Sequence, residues 1–203
     1  MLSVGLAGKP NSGKSTFFKA ATLVDVAIAN YPFTTIDANH GVSYVRVKCP
    51  CKELGIAQGC GKCRDGIRFV PIELIDVAGL VPDAHLGKGL GHRFLRHIKR
   101  TRLLVMVIDL SGVDPEQPLA PLKALEAEMD AFDPGLSIRP RLVVLNKVDL
   151  LPPDYPREAV VRAYEDTGWR VFTVSAKSGA GIPDLRAALW AKAPRVETEP
   201  QED

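Results

Sequence analysis

Residues 5–16 read GLAGKPNSGKST, and within them two glycines and a lysine have the spacing of a phosphate-binding loop, G-x-x-x-x-G-K-[ST]. Glycines let backbone N–H groups point at the β-phosphate, Lys14 can reach the β- and γ-phosphates, and the Ser15 hydroxyl can ligate Mg²⁺. A chance glycine turn is the alternative, but a strand candidate precedes the loop and a helix candidate follows it. The residues expected to bind the phosphates are Gly8, Asn11, Ser12, Gly13, Lys14, Ser15 and Thr16.

Two further motifs indicate the base. NKVD at 146–149 and SAK at 175–177 each follow an apolar run. A carboxylate at Asp149 can accept hydrogen bonds from N1–H and the N2 amine of guanine, whereas adenine would leave it unpaired. Asn146 can brace the loop and contact N7, Lys147 can lie over the base, and the Ala176 N–H can donate to O6. The predicted guanine site comprises Asn146, Lys147, Asp149, Ser175, Ala176 and Lys177.

Two segments between these motifs could respond to the γ-phosphate: YPFTT at 31–35 and DVAG at 76–79. Asp76 ends a strand candidate and can hold Mg²⁺ through water, while the Gly79 N–H can contact the γ-phosphate. A threonine hydroxyl of YPFTT can join the Mg²⁺ shell when a triphosphate is bound. Such segments would be ordered by the γ-phosphate and released by hydrolysis.

Apolar runs and helical patterns alternate along the chain, as a βαβ protein requires. Strands are predicted at 2–7, 42–47, 68–76, 103–109, 141–146 and 170–174. Helices are predicted at about 14–22, 91–100, 118–132, 155–167 and 182–192. The runs LLVMVI and LVVL are apolar on both faces, which is typical of central strands in a parallel sheet. We therefore expect an α/β fold of the P-loop NTPase class, with a mostly parallel central sheet and helices on both faces.

Size and composition indicate one compact domain, since the 203 residues are 46% hydrophobic and 25% charged. The expected domain is 1–194, with a Cys-rich insert at 49–66 and an acidic, disordered tail at 195–203. No apolar run approaches the ~18 residues that a membrane helix needs, and the N-terminus lacks a signal-peptide pattern. The expected location is the cytoplasm, without membrane association.

All four cysteines lie within 15 residues, as C-x-C, eight residues, then C-x₂-C. Closely spaced pairs of thiolates suit tetrahedral zinc, and a cytoplasmic location argues against disulfides. Unliganded thiols, a disulfide and an iron–sulfur centre are the alternatives. The predicted zinc ligands are Cys49, Cys51, Cys60 and Cys63.

Positive charge is concentrated in the first half of the chain, where residues 1–102 hold 15 Lys and Arg against 7 Asp and Glu. Within 83–102 the ratio is six to one, and Arg93, Arg96 and Arg100 recur at helical spacing. This segment, called the basic face below, is either an ordinary solvated helix face or a surface that meets RNA phosphates. No pattern indicates base-specific reading of RNA or DNA, so recognition would rest on shape and charge.

The chain resembles the Obg/YchF-related translation-factor GTPases over about residues 3–193. The resemblance rests on six motifs in this order: GKPNSGKST, NYPFTTID, DVAGLV, GKGLGHRFL, NKVD and SAK. The first half is most similar to the archaeal and fungal branch related to YchF, and the second half to bacterial Obg. The resemblance implies an OBG-type G domain, a ribosomal or ribosomal RNA partner for the basic face, and Thr35 as the switch threonine that ligates Mg²⁺.

The residue expected to orient the attacking water is missing, since Leu80 follows Gly79 where Ras-like proteins have glutamine. In several families with a hydrophobic residue at this position, an asparagine in the phosphate loop helps to bind K⁺. The resemblance gives that role to Asn11, and a turn-stabilising role is the alternative. Lys14, Thr35, Gly79 and Asn11 are thus the predicted catalytic residues.

The predicted function is that of a GTP-binding switch with slow, Mg²⁺-dependent hydrolysis, in ribosome assembly or translation. One alternative is a guanine-nucleotide binding module with negligible hydrolysis, since no evident base lies near Leu80. Another is an ATPase like YchF itself, although YchF departs from NKxD and this chain retains Asp149.

Overall fold

A computed structural model of the chain describes residues 2–22, 39–52, 54–56, 61, 63–76, 101–136 and 138–191. The strands are β1 (Leu2–Ala7), β2 (Asn39–Lys48), β3 (Ile67–Asp76), β4 (Leu103–Asp109), β5 (Arg141–Asn146) and β6 (Arg170–Thr173). The described helices are α1 (Lys14–Ala21), α2 (Ala120–Phe132), α3 (Arg157–Glu165) and α4 (Ile182–Ala191). Short 3₁₀ turns lie at Pro50–Lys52, Leu110–Gly112 and Val148–Leu150.

The six strands form one sheet in the order β2-β3-β1-β4-β5-β6. Strands β3, β1, β4, β5 and β6 are parallel, and only β2 is antiparallel to its neighbour β3. The chain leaves β1 towards β2 and β3 on one side of the sheet and continues with β4 to β6 on the other. The phosphate loop after β1 therefore lies where the strand order reverses, the position at which open α/β sheets bind ligands.

Both faces of the sheet are covered, because every residue of β5 and all but the last of β4 are buried. On one face, α1 and α4 contribute Phe17, Phe18, Leu185 and Leu189 to the core. On the opposite face, α2 and α3 contribute Leu125, Met129, Val160 and Tyr164. Burial on both faces is why these strands read as unbroken apolar runs. The predicted α/β fold class is thereby confirmed.

Some strands and helices begin or end at residues other than those predicted. In these cases a local polar group or continued pairing with a neighbouring strand sets the boundary. Strands β1, β4 and β5 have the predicted bounds. Strand β2 extends over 39–48 rather than 42–47, because all ten of its residues pair with β3. Helix α3 begins at Arg157 with Pro156 as its N-cap, and α1 ends before Thr22, whose hydroxyl donates to the Phe18 carbonyl oxygen at 2.7 Å.

Some predictions concern residues that the structure does not describe. The predicted helix 91–100, residue 192 at the end of the last predicted helix, and the tail 195–203 lie outside the described residues. The helices that are described are too short or too polar to cross a membrane.

Candidate functional site

The phosphate loop turns tightly between β1 and α1, where close contacts require both glycines and a positive φ adds to the requirement at Gly13. A β-carbon on Gly8 would lie 2.4 Å from the Val107 carbonyl oxygen of β4. Gly13 has φ +89°, and a β-carbon there would lie 2.3 Å from the Asn146 amide nitrogen. Because such approaches exclude any side chain, both glycines allow the loop to pack against the ends of β4 and β5.

Lys14 places its ammonium group inside the loop. Its Nζ donates hydrogen bonds to the carbonyl oxygens of Gly8 at 3.0 Å and Lys9 at 2.8 Å. Burial lowers the pKa of Lys14 to about 8, and the negative charge of Asp76 counteracts part of this effect. Among the described residues, the partners of this buried cation are two carbonyl oxygens and the nearby charge of Asp76, so the ammonium group is well suited to bind an incoming phosphate.

Oxygen ligands for a hard cation lie beside this lysine. Asp76 is the last residue of β3, pairs with Leu6 of β1, and is only 2% exposed. Ser15 is partly buried in the first turn of α1. The buried Ser12 hydroxyl has no hydrogen-bond partner among the described residues. A carboxylate and a hydroxyl next to a phosphate loop fit Mg²⁺, because this ion prefers oxygen ligands. Water and phosphate oxygens usually complete its coordination shell.

Asn146, at the end of β5, connects the three predicted motifs. Its Nδ2 donates to the Ser12 carbonyl oxygen at 3.0 Å, and its Oδ1 accepts from the Ala176 N–H at 3.0 Å. The side chain is buried, with 1% of the residue exposed. The phosphate loop, NKVD and SAK therefore form one continuous surface. The Ala176 N–H expected to contact a guanine O6 is engaged by Asn146, so a base would have to share or displace that hydrogen bond.

Asp149 presents an exposed carboxylate at this surface. A hydrogen bond from the Ser175 hydroxyl is the main cause that lowers the pKa of Asp149, and the charges of Lys177 and Lys147 act in the same direction. Ser175 is itself fixed, because its hydroxyl accepts from the Ser178 N–H at 3.1 Å. Asp149 is thus held as an ionised acceptor.

Lys147 has a partner that the sequence did not reveal. Its Nζ lies 2.6 Å from Oδ2 of Asp109, the last residue of β4. Asp109 also accepts from the backbone N–H of Ser111 at 3.1 Å, which fixes its position. Lys147 has a left-handed backbone, with φ +66°. This ion pair places the lysine stem between the ends of β4 and β5. The sequence shows that Asp109 ends the predicted strand 103–109, but the pairing of β4 with β5 is what brings it next to Lys147.

The other predicted site residues either adjoin residues of this surface in the sequence or fall outside the described residues. Thr16 is partly buried on α1, and Lys177 is exposed beside Ala176. Asn11 is exposed with φ +61°, so it occupies the left-handed turn position that asparagine tolerates well. Thr35, Gly79, Leu80 and Cys60 lie outside the described residues, as does the basic face apart from Thr101 and Arg102.

Three of the four cysteines converge. The sulfur atoms of Cys49, Cys51 and Cys63 all lie within 4.8 Å of one another. Cys49 and Cys51 are buried, Cys63 is partly buried, and these three form no disulfide.

Comparison with known proteins identifies relatives over most of the chain. The family model described as "50S ribosome-binding GTPase" matches residues 3–147. GTPase Obg of Syntrophobacter fumaroxidans is 41% identical over 189 residues, covering 93% of this chain and 48% of that protein. An uncharacterised GTP-binding protein of Methanocaldococcus jannaschii is 47% identical over 144 residues, covering 65% and 36% respectively. The chain thus spans about half the length of the Obg relatives.

Solved structures share the fold at low identity. Era from Aquifex aeolicus has a TM-score of 0.61 at 17% identity, covering 96% of this chain and 57% of that one. The G domain of FeoB from T. maritima has a TM-score of 0.54 at 22% identity, covering 96% and 99%. These likenesses concern the arrangement of helices and strands.

Proposed function

Because the chain belongs to the 50S ribosome-binding GTPase family and is related to Obg, we propose that it binds Mg²⁺·GTP and hydrolyses it slowly, as a nucleotide-controlled switch in ribosome assembly or translation. The observation that carries this proposal is the Asn146 side chain, which joins the phosphate loop to the SAK turn. One bound molecule with a phosphate end and a base end would contact both.

Guanine is the base that the described acceptors and donors suit. The ionised Asp149 would accept from N1–H and the N2 amine, and the Ala176 N–H would donate to O6, shared with or released from Asn146. Adenine presents no proton at N1 and an amine in place of O6, so it would leave the carboxylate unpaired and oppose one donor with another. ATP is therefore the disfavoured substrate.

Lys14 and its neighbours would bind the phosphate groups of the nucleotide. A triphosphate replaces the Gly8 and Lys9 carbonyl oxygens as the partner of the Lys14 ammonium. Ser15 and Asp76 would hold Mg²⁺, with Thr35 joining them when the γ-phosphate is present. The metal ion supplies positive charge at the β- and γ-phosphate oxygens. Gly79 would donate its N–H to the γ-phosphate.

Hydrolysis by this chain is proposed to be slow, because Leu80 replaces the water-orienting glutamine. Asn11 is the proposed source of compensation, by contributing its side-chain oxygen to a K⁺ ion beside the phosphates. Its exposed position in the loop leaves the amide accessible, while its left-handed backbone independently favours asparagine.

Phosphate release under multiple turnover should therefore be roughly tenfold faster in K⁺ than in Na⁺, equivalent to about 1.4 kcal/mol in the barrier. Asn11→Gly should lose this difference, because glycine accepts the same positive φ and removes only the amide. Lys19→Met, a change on α1 outside the phosphate loop, should retain it. Equal K⁺ stimulation in Asn11→Gly would contradict the role of Asn11. No release in either salt would favour a nucleotide-binding module without catalysis.

Ribosome binding should depend on the nucleotide. The basic face carries six Lys and Arg against one Asp between 83 and 102, and it follows directly on the DVAG segment expected to contact the γ-phosphate. Co-sedimentation with 50S subunits should be at least ~10-fold stronger with a non-hydrolysable GTP analogue than with GDP, and it should weaken with rising salt. Arg93→Ala with Arg96→Ala should lower it, whereas Arg157→Ala with Arg162→Ala on α3 should not. Equal binding with both nucleotides would refute the switch.

A further inference from the structure

The cysteine segment closes the end of the β2–β3 hairpin. Cys49 directly follows β2, and its N–H donates to the Gly66 carbonyl oxygen at 2.8 Å. Cys51 lies in the 3₁₀ turn Pro50–Lys52, and Cys63 precedes the tight turn that leads into β3. Residues distant by up to 14 positions are thus brought to one place by the pairing of β2 with β3.

The separations between the thiols match those around one metal ion. The Cys51 and Cys63 sulfur atoms are 3.4 Å apart, and Cys49 lies within 4.8 Å of both. Four thiolates arranged tetrahedrally at a Zn–S distance of ~2.3 Å are ~3.8 Å apart. The 3.4 Å separation is slightly shorter than that value and the 4.8 Å limit for the other two pairs lies above it, so an ion could bind all three thiols with small side-chain adjustments.

Within the part of the chain that the structure describes, the hydrophobic clusters do not account for the burial of these thiols. Leu54 is 70% exposed and Ile56 is 44% exposed, so the two described large apolar residues of the segment face solvent. Cys49 and Cys51, by contrast, are only 5% and 4% exposed, and neither belongs to the two hydrophobic clusters that flank the sheet. Among the described residues of this segment, the thiols are therefore the buried groups, as in domains whose fold is held by a metal.

We propose that Cys49, Cys51 and Cys63 bind a structural Zn²⁺ ion that fixes the end of the β2–β3 hairpin. Thiolates favour zinc over the hard cation Mg²⁺, so the two metals would not compete for one site. Lys48 and Arg64 are exposed next to Cys49 and Cys63 in sequence and offset the negative charge of a zinc–thiolate centre. Cys60 stays the sequence-based prediction for a fourth ligand.

The zinc site is remote from the phosphate loop. Asn39 pairs with Asp76, the proposed Mg²⁺ ligand, at one end of the β2–β3 hairpin. Lys48 pairs with Ile67 at the other end, next to the cysteines. Nine residues of strand separate the two ends, or ~30 Å. The proposed ion is thus structural, and its loss should leave nucleotide affinity within about twofold.

Metal analysis of the purified full chain tests the proposal, with zinc supplied during expression. We expect about one equivalent of zinc in the wild type and a loss of at least ~10-fold in Cys63→Ser, with unchanged affinity for a fluorescent GDP analogue. Leu54→Ser, in the same segment but exposed, should retain the metal. Cobalt substitution of the wild type gives a readout that does not depend on folding of a variant, since tetrahedral thiolate ligation produces intense visible and near-ultraviolet bands.

Three results would overturn the proposal. The first is zinc-supplied wild type that contains under a tenth of an equivalent while all four thiols react with a thiol reagent. The second is Cys63→Ser that retains a full equivalent. The third is a mass two daltons below the reduced chain together with absent zinc, which would identify a disulfide. Failure of GDP-analogue binding in the wild type would count against the nucleotide site and leave the zinc result unaffected.

Discussion

Asp149→Asn is expected to lower the affinity for GTP by at least ~100-fold and to raise the affinity for xanthosine triphosphate. In the proposed complex the carboxylate would accept two hydrogen bonds from guanine, whereas an amide would accept only one and would present its NH₂ group to the guanine N2 amine. Xanthine carries a carbonyl oxygen where guanine carries that amine, so the new NH₂ group has an acceptor. Competition of GTP, XTP and ATP for a fluorescent GDP analogue measures the change.

Two matched variants separate recognition from folding at Asp149. Asp154→Asn makes the same chemical change at an exposed carboxylate a few residues away and should leave GTP affinity unchanged. Ser175→Ala removes the hydroxyl that holds the Asp149 carboxylate and should cause an intermediate loss, of about tenfold. A wild-type protein that binds ATP as tightly as GTP, or an Asp149→Asn variant with wild-type GTP affinity, would refute the guanine assignment.

Lys14→Met is expected to abolish tight GTP binding and to change how stability depends on pH. The methionine retains much of the lysine stem but has no charge for the β- and γ-phosphates, so affinity should fall by at least ~100-fold. Without nucleotide and Mg²⁺, burial lowers the pKa of Lys14 from 10.5 to about 8, so the unfolded chain binds more protons in that interval. The free energy of unfolding contributed by Lys14 therefore rises with pH, by up to ~3 kcal/mol between pH 8 and 10.5.

Denaturant unfolding of wild type and Lys14→Met at several pH values isolates this effect, because other titrating groups are common to both proteins. The stability of the wild type relative to the variant should increase across the interval. Lys19→Met, on the same helix, should parallel the wild type. A constant difference between wild type and Lys14→Met from pH 7 to 10.5 would show that the ammonium is solvated in the folded protein.

The central strands could be predicted from sequence because burial on both faces leaves a clear trace. LLVMVID and RLVVLN are continuous apolar runs ended by a polar residue, and β4 and β5 begin and end at those residues. The predicted strand 42–47 is shorter than β2, because the pairing with β3 continues through Gly41, His40 and Asn39, and glycine and asparagine have low strand propensity. The backbone ladder, rather than residue type, sets that boundary.

In the candidate site, too, features set by neighbouring residues could be predicted from the sequence, whereas contacts between distant residues could not. Loop motifs such as GKPNSGKS act within a few residues of chain, so their arrangement follows from spacing. The pairing of Lys147 with Asp109 joins positions 38 residues apart, and no local pattern encodes it. Its existence depends on β4 and β5 being parallel neighbours with Asp109 opposite Asn146, which only the sheet register reveals.

Asn146 also links the two loops that would hold a bound nucleotide, because each end of its amide bonds to a backbone group of a different loop. If either the phosphate loop or the Ala176 turn moved away alone, a buried donor or acceptor would lose its partner at a cost of about 1–3 kcal/mol. The two loops are therefore coupled through the Asn146 amide. We expect a partner that displaced one of them to loosen the other and so to accelerate nucleotide exchange.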